Sequence, residues 1–385
     1  MAGTQLDRDR QRALLERLGA HGEILGELVG YLDNPYEGLA GRSGELPLPE
    51  EPQTPFWRRY VEEAGRDGAA SALRLRFPQL SFPIAEGLAE DPEYRAATRR
   101  GIWDPRRAGG LALERAEGLE LSVDEGPAGP VPVLVVRHRP DFVRMVQALT
   151  CRNRPESVPP SMGACLVKGL ADWERVASYR ADWERRLGRK SSDDEWAAEM
   201  GSGLAPRKEL WQDRLILLSD GPYSAVSAAE AGLEAETWRE RSLTLRLAHE
   251  SFHYLTLRLV GTIRSHLLDE LIADFAGLVA AFGLYDARLA LRFLGLDRLP
   301  EIRPEGRLAV YRGELSDGAL AVLARLVANA ARALEGLEIG GTGGVFAAER
   351  ARTLVALAAL GLDGIAHESF SARFEAVLGS SGEIA

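Results

Sequence analysis

The spacing of apolar residues changes along the chain, and so do the elements that it predicts. Residues 5–32 carry apolar side chains three or four positions apart, which predicts an amphipathic helix. Residues 33–104 are interrupted by Pro, Gly, Asn and Asp, yet aromatic residues recur among them, so we expect a packed segment rather than a free linker. Residues 1–105 are therefore predicted to form an N-terminal accessory region, a helix followed by a Pro/Gly-rich packed segment.

The middle of the chain has the shorter period of β-strands, and the C-terminal half returns to helical spacing. Two β-rich runs within 119–136 flank a Gly/Pro turn, which predicts a hairpin, and strand-like runs follow near Cys165 and in 214–226. A small sheet followed by a helical half is an α+β arrangement, which we predict for residues 106–385. The Gly-rich stretch 338–345 is expected to connect two helices flexibly. The predicted C-terminal helices include 242–260, 266–283, 317–337 and 345–361.

The composition is that of an ordinary soluble globular protein: of 385 residues, 45% are hydrophobic and 27% are charged. The formal net charge of -10 argues against a general surface for nucleic acid or anionic lipid, since both need a basic footprint. No run approaches the roughly 18 apolar residues that span a bilayer, and the N-terminus has no signal-peptide core. The two cysteines are too few for a disulfide framework. We therefore expect a cytoplasmic protein without nucleic-acid or membrane partners; the sequence does not indicate its oligomeric state.

The strongest chemical signal lies in LRLAHESFHYL, residues 245–255. In a strand, His249 and His253 would lie about 13 Å apart, too far for one metal ion. In a helix they stack one turn apart, with Cβ atoms about 5–6 Å from each other, and both rings can reach one ion. The many leucines and the stop signal at Gly261 favour the helix. Glu250 then projects beside the imidazoles, where it can polarise a metal-bound water, as in the His-Glu-x-x-His pattern.

A third metal ligand is expected downstream, because catalytic zinc usually has three protein ligands and a water. Glu270 lies seventeen residues after His253 on the next predicted helix, and Asp274 follows one turn later on the same face. The same stripe continues with Gly277 and Ala281, small residues that would let this helix pack closely against the first. The spacing therefore places a carboxylate within reach of the histidine pair.

These residues resemble the gluzincin, or thermolysin-like, group of zinc metallopeptidases. The matching positions are His249-Glu250-x-x-His253 and Glu270-x-x-x-Asp274. The resemblance implies one Zn²⁺ ion held by His249, His253 and Glu270, with Glu250 as the general base and acid. It also implies that Asp274 hydrogen-bonds a ligand histidine and so orients it.

The resemblance further implies a zincin-like catalytic domain in residues 106–385, acting on a peptide or a small amide. Two positions depart from the usual pattern: Arg246 occupies a site that is usually uncharged, and Asp269 stands where Asn is common. Two alternatives stay open for this reason. One is a zinc enzyme of the same scaffold with a non-peptide biosynthetic substrate, and the other is a non-catalytic zincin-like binding protein.

A hydrolytic site also needs a donor for the negative charge that develops on the substrate oxygen. His266, at the start of the second predicted helix, is one candidate. His367, in IAHESFSARF, is another, because the resemblance implies a second catalytic histidine downstream of the ligands. Further donors that the sequence does not rank are Tyr285, Tyr311, Arg352 and Arg373.

Cys165 is an alternative third ligand. Its context, Gly163-Ala164-Cys165-Leu166, resembles the Gly-x-Cys-Leu of peptide deformylases, in which a cysteine joins a metal held by His-Glu-x-x-His. Cys165 lies 84 residues before His249, however, and a buried structural cysteine is the simpler interpretation.

Overall fold

The protein is described by a computed structural model that covers residues 2–39, 46–106, 109–262, 266–304, 306–337 and 344–380. It confirms the α+β prediction, with a small mixed sheet among helices. The strands are β1 (Leu119–Gly126), β2 (Gly129–Val136), β3 (Ala164–Ala171) and β4 (Gln212–Leu218). The helices are α1 (Ala2–Arg17), α2 (Gly22–Tyr31), α3 (Thr54–Asp67), α4 (Ala69–Arg74), α5 (Pro92–Arg100), α6 (Arg139–Thr150), α7 (Trp173–Leu187), α8 (Asp193–Ala198), α9 (Ala228–Ala231), α10 (Ala235–Val260), α11 (Leu267–Phe282), α12 (Ala287–Leu294), α13 (Asp317–Leu334), α14 (Gly344–Ala366) and α15 (Phe370–Ser380).

The predicted helices are present, but several of their ends differ. The helix predicted over 5–32 is two helices, because Gly19 and Gly22 take positive φ values of 95° and 55° and interrupt it. The last long helix continues beyond 361, across a break at Gly361 where φ is 73° and ψ is 168°. The Asn34 amide donates to the carbonyls of residues 358 and 359 just before this break. Residues 338–343 of the predicted Gly-rich connection lie outside the described residues.

The chain divides into two compact units that are interleaved in sequence. The first consists of Met1–Leu48, Gly126–Ala128 and Pro222–Ala385, and the second of Pro49–Glu125 and Gly129–Gly221. The predicted accessory region 1–105 is thus shared between the two units, and its accessory role stays a prediction. None of the described helices combines the length and apolar character that crossing a membrane requires.

The second unit contains the sheet, whose strand order is β1-β2-β4-β3. Strands β1 and β2 are adjacent and connected by residues 127–128, where the sequence predicted a hairpin. Strand β2 pairs parallel with β4, and β3 pairs antiparallel with β4. All of β2 is buried, and its residues Leu134 and Val136 pack in one core with Trp57 and Tyr60 of α3 and Phe142 of α6. Cys165 lies in β3 of this unit.

The first unit is helical, and α10 and α11 pack against each other within it. Helix α11 is apolar and buried on nearly every side. At Gly277 a Cβ atom would lie 2.8 Å from the carbonyl oxygen of Leu245 and 2.8 Å from its Cδ2 atom. Only glycine permits this approach, which confirms the close packing predicted for that position.

The first turn of α11 is held by the segment that follows the N-terminal helices. The ring of Tyr31, at the end of α2, stacks on His266 with 4.2 Å between ring centres. The Tyr36 hydroxyl donates to the buried carboxylate of Asp269. Because Glu270 follows Asp269 directly, these contacts fix the backbone that presents the third predicted metal ligand.

Candidate metal centre

His249, His253 and Glu270 meet at the interface of α10 and α11, and we call these three residues the metal group. The Nε2 atoms of the two histidines are 3.1 Å apart. Oε2 of Glu270 lies 3.6 Å from Nε2 of His249, and its other oxygen, Oε1, lies 3.4 Å from Nε2 of His253. Two ligand atoms of one tetrahedral zinc lie roughly 3.3 Å apart when its bonds measure about 2.0–2.1 Å. With one ligand atom taken from each residue, the three atoms lie within 4.8 Å of one another and all three residues are buried, so the metal group is compact enough to hold a metal ion.

Asp274 and Tyr223 contact the other ring nitrogen of His249. The Asp274 carboxylate lies 3.1 Å from Nδ1, at the position expected for a residue that orients this histidine. The Tyr223 hydroxyl lies closer to Nδ1, at 2.8 Å, and 2.6 Å from the Asp274 carboxylate. Tyr223 follows β4 in a short turn and was not singled out by the sequence. His249 thus has two oxygen partners instead of the single one that the resemblance implies.

Arg307 is a second residue that the sequence did not indicate. It begins the 3-10 turn Arg307–Tyr311, and its guanidinium group donates to two of the three carboxylates of α11, those of Glu270 and Asp274. The Nη1–Oε2 distance to Glu270 is 3.2 Å, while Nη2 donates to Asp274. Nη1 also lies 3.3 Å from the Tyr223 hydroxyl. Arg307 therefore connects the third predicted ligand with the residues that orient His249.

The charges of this cluster favour a cation at the metal group. Glu270 and Asp274 are both buried, and Arg307 neutralises only one of these two carboxylates. Burial acts to raise the pKa of Glu270, but the hydrogen bond with His253 and the neighbouring positive charges outweigh it and hold this pKa well below its usual range. Burial acts to lower the pKa of His253, but the same hydrogen bond and the charges of Glu270 and Glu250 raise it to about 9. The remaining negative charge can be neutralised by a proton on His253 or by a metal ion.

Glu250, the general base that the resemblance implies, lies near the metal group. It is half-buried on α10, next to His249 in sequence, and its negative charge acts on His253. It has no hydrogen bond or ion pair with another residue in the described part of the chain. Its carboxylate is therefore available to a water or a substrate, in contrast to the buried and paired carboxylate of Glu270.

The segment that carries Tyr223 is strained and tightly held. Ser224 and Ala225 have φ values of 49° and 57°, in the left-handed region that costs a residue with a side chain on the order of 1–3 kcal/mol. The Tyr223 amide donates to the Ser242 hydroxyl at 3.1 Å, and the Arg246 side chain donates to the carbonyl of residue 222 at 2.8 Å. Arg246 is one of the two residues that depart from the pattern of the resembling peptidases. Its buried charge here holds the segment that supplies Tyr223.

The structure corrects the role expected for His266 and does not bring His367 to the metal group. His266 is the N-cap of α11: its Nδ1 accepts a hydrogen bond from the Leu268 amide and its Nε2 lies 2.8 Å from the Tyr31 carbonyl oxygen. Both ring nitrogens are engaged by the backbone, so neither can serve a developing oxyanion. His367 lies just before α15, with Nδ1 2.8 Å from the Ser369 hydroxyl.

Among the donors that the sequence did not rank, Tyr311 lies beside the metal group, with its hydroxyl hydrogen-bonded to the Glu270 carboxylate. Burial, followed by the charge of Glu270, raises the pKa of Tyr311, so its hydroxyl stays protonated near neutral pH. Tyr285 is buried in the core against Phe275, with 5.2 Å between ring centres. Arg352 is exposed on α14, and Arg373 lies 3.4 Å from the carboxylate of Asp7. The alternative ligand Cys165 is not a member of the metal group.

The chain belongs to a family described as "Family of unknown function (DUF7005)", whose pattern matches residues 13–369. No curated protein and no solved structure matches the chain. The matched range includes the metal group, Glu250 and Arg307. The family description names no activity, so any function must be argued from the site itself.

Proposed function

We propose that this protein is a zinc-dependent hydrolase that cleaves an amide bond, most simply a peptide bond. The main support is that two imidazole nitrogens and one carboxylate oxygen, from three buried residues, lie within 4.8 Å of one another. Two histidines and a glutamate form a ligand set of catalytic zinc sites, which leaves a fourth position for water or substrate. The pairing of α10 with α11 around this set supports a zincin-like arrangement of the active-site helices.

Zn²⁺ held by His249, His253 and Glu270 would polarise a substrate carbonyl and make a water more acidic. Glu250 takes the proton from the attacking water and passes it to the leaving amine, because it lies beside the metal group with an unengaged carboxylate. Tyr311 would donate its hydroxyl hydrogen to the developing oxyanion after leaving the Glu270 carboxylate, its hydrogen-bond partner in the metal-free site.

Arg307 and Asp274 orient the metal ligands and have no direct role in the reaction. Arg307 holds one oxygen of Glu270, at 3.2 Å, and so orients the carboxylate before any metal binds. Asp274 accepts hydrogen bonds from Arg307 and Tyr223 and lies against Nδ1 of His249. Such support around the ligands is what metal sites use to fix ring orientation and raise ligand basicity.

The experiment is a search for released amines with the zinc-loaded protein. The wild type, Glu250→Gln and Glu240→Gln are incubated with a mixed peptide library and with small N-acyl amides, and new amines are detected by derivatisation and mass spectrometry. Glu240 is an exposed glutamate on the same helix and serves as the matched control. We expect Glu250→Gln to keep its zinc and to lose about 10²–10⁴-fold in rate, while the control is unchanged.

The same experiment separates the two alternatives. Release of amines from N-acyl amides but not from peptides would favour a biosynthetic amidase of the same scaffold. A zinc-loaded wild type that releases no amine from any substrate, or a Glu250→Gln variant as active as the wild type, would contradict the hydrolase proposal and favour a non-catalytic binding protein.

A further inference from the structure

The two histidines of the metal group have different surroundings at Nδ1. In His249 this atom lies 2.8 Å from the Tyr223 hydroxyl and 3.1 Å from the Asp274 carboxylate. In His253 the corresponding atom is buried and has no hydrogen-bond partner in the described part of the chain. One ring is therefore held from behind by two oxygens, and the other is not.

Counting the hydrogens around Tyr223 assigns the tautomer of His249. The hydroxyl of Tyr223 has one hydrogen, and its oxygen lies 2.6 Å from the Asp274 carboxylate, which can only accept. The hydrogen must point to that carboxylate, since two acceptors at this distance would repel each other. The Tyr223 oxygen is then an acceptor toward Nδ1 of His249, which must carry the ring hydrogen. Nε2 is left with its lone pair facing Glu270 and His253.

We propose that Tyr223 is a positioning residue of the metal group, which fixes His249 as the Nδ1–H tautomer and so presents its Nε2 atom to the metal. The inference rests on the proposed metal site and does not require the protein to be a hydrolase. Asp274 alone would accept the ring hydrogen, but it also serves Arg307. Tyr223 adds an acceptor that is closer to Nδ1 and that itself donates to Asp274, so the two partners hold each other in place.

The backbone around Tyr223 supports this role independently. Two successive residues, Ser224 and Ala225, keep left-handed conformations directly after it. The phenol is buried, and the guanidinium groups of Arg246 and Arg307 lie 5.6 Å and 5.3 Å from the centre of its ring. Strained backbone persists where the surrounding structure determines it, and it clusters at functional sites.

The first test is metal affinity, measured by chelator competition with Zn²⁺ and with Co²⁺ for the wild type, Tyr223→Phe and Tyr285→Phe. Tyr285 is the matched control, because its hydroxyl is also buried but has no hydrogen-bond partner within the described residues. Loss of a partner of a ligand histidine typically weakens metal binding about 10–100-fold, which is the rise in Kd expected for Tyr223→Phe. The absorption bands of the Co²⁺ form should shift in this variant and not in the control.

The second test is the tautomer itself, read by ¹⁵N NMR of the histidine rings in the metal-free protein, with His249→Ala to assign the signal. We expect the Nδ1–H form of His249 in the wild type and a mixture of forms in Tyr223→Phe. This measurement needs no metal, so it tests the inference separately from the proposed function. A wild type that binds no zinc would contradict the proposed metal site, but the tautomer of His249 would still show whether Tyr223 positions this ring.

Combining Tyr223→Phe with Asp274→Asn completes the test. Both residues act on one ring hydrogen, so their effects on Kd should be non-additive. A folded Tyr223→Phe variant with wild-type Kd, wild-type Co²⁺ spectrum and an unchanged tautomer would reduce Tyr223 to core packing and overturn the inference. An Nε2–H tautomer in the wild type would overturn it as well, even if Tyr223→Phe failed to fold.

Discussion

Replacing Gly277 by alanine should separate the two helices that carry the metal ligands. The new Cβ atom would lie 2.8 Å from the Leu245 carbonyl oxygen, and this gap must open to at least the 3.4 Å of an ordinary contact. A backbone oxygen cannot rotate aside, so α11 has to move away from α10. Forced overpacking of this kind costs about 1–3 kcal/mol of unfolding free energy. Glu270 lies two turns before Gly277 on the same helix, so the displacement should also weaken zinc binding.

The matched control is Gly26→Ala on α2, where the added methyl group meets nothing within 4 Å. That substitution should raise the free energy of unfolding by roughly 0.5–1 kcal/mol, since alanine favours helix more than glycine does. Urea denaturation measures the two unfolding free energies, and chelator competition measures the zinc affinities. A Gly277→Ala variant as stable as Gly26→Ala, with wild-type zinc affinity, would refute the reasoning that close helix packing sets the geometry of the metal group.

Three further predictions concern the charges of the site. Arg307→Met leaves the carboxylates of Glu270 and Asp274 without their cation, so urea denaturation should show a loss of about 3–5 kcal/mol in the metal-free protein; wild-type stability would contradict the ion-pair network. The pKa of His253 is raised from 6.5 to about 9 by folding, so its contribution is present below 6.5 and is lost as the pH rises to 9. The melting temperature of the metal-free protein should therefore fall between pH 6.5 and pH 9, and the fall should be smaller in His253→Gln. A wild-type melting temperature that rises over this interval relative to His253→Gln would contradict the raised pKa of His253. Zinc binding at pH 7 should release a proton from His253, which calorimetry in buffers of different ionisation heat detects; equal heats would contradict it.

The metal group could be predicted from sequence because its parts are close along the chain. Leucines and the stop at Gly261 identified α10 as a helix, although its flanks alternate as a strand would. The helix spacing then brought His249 and His253 together. A short connection leads to α11, so neighbouring helices were expected to pack, and the small residue at Gly277 indicated the face. Local periodicity and a short connection were sufficient.

Tyr223 and Arg307 could not be predicted, because their positions depend on tertiary structure. Tyr223 is 26 residues from His249, and Arg307 is 37 residues from Glu270. Both come from short turns with no periodic pattern, and the strained backbone at Ser224 has no signature in its residue type. Their arrival at the site depends on how the turns fold over α10 and α11.

His266 shows a different limit of sequence reasoning. Its place at the start of α11 was predicted correctly, but its chemistry was not. A histidine at a helix start can use its ring to cap the helix, and the structure shows this use. The break of the N-terminal helix at Gly19 was also missed. The helical spacing of apolar residues continues on both sides of this turn, so the spacing alone does not reveal where the first helix ends.

The most direct test of the account is the zinc content of the purified protein by elemental analysis, after dialysis against a small excess of zinc. The wild type should retain one equivalent, His249→Ala and Glu270→Ala should retain none, and His21→Ala, which removes an exposed histidine, should retain one. If His249→Ala loses zinc but Glu270→Ala keeps it, Glu270 is not the third ligand and another residue must take that role. A folded wild type that retains no zinc would contradict the account as a whole.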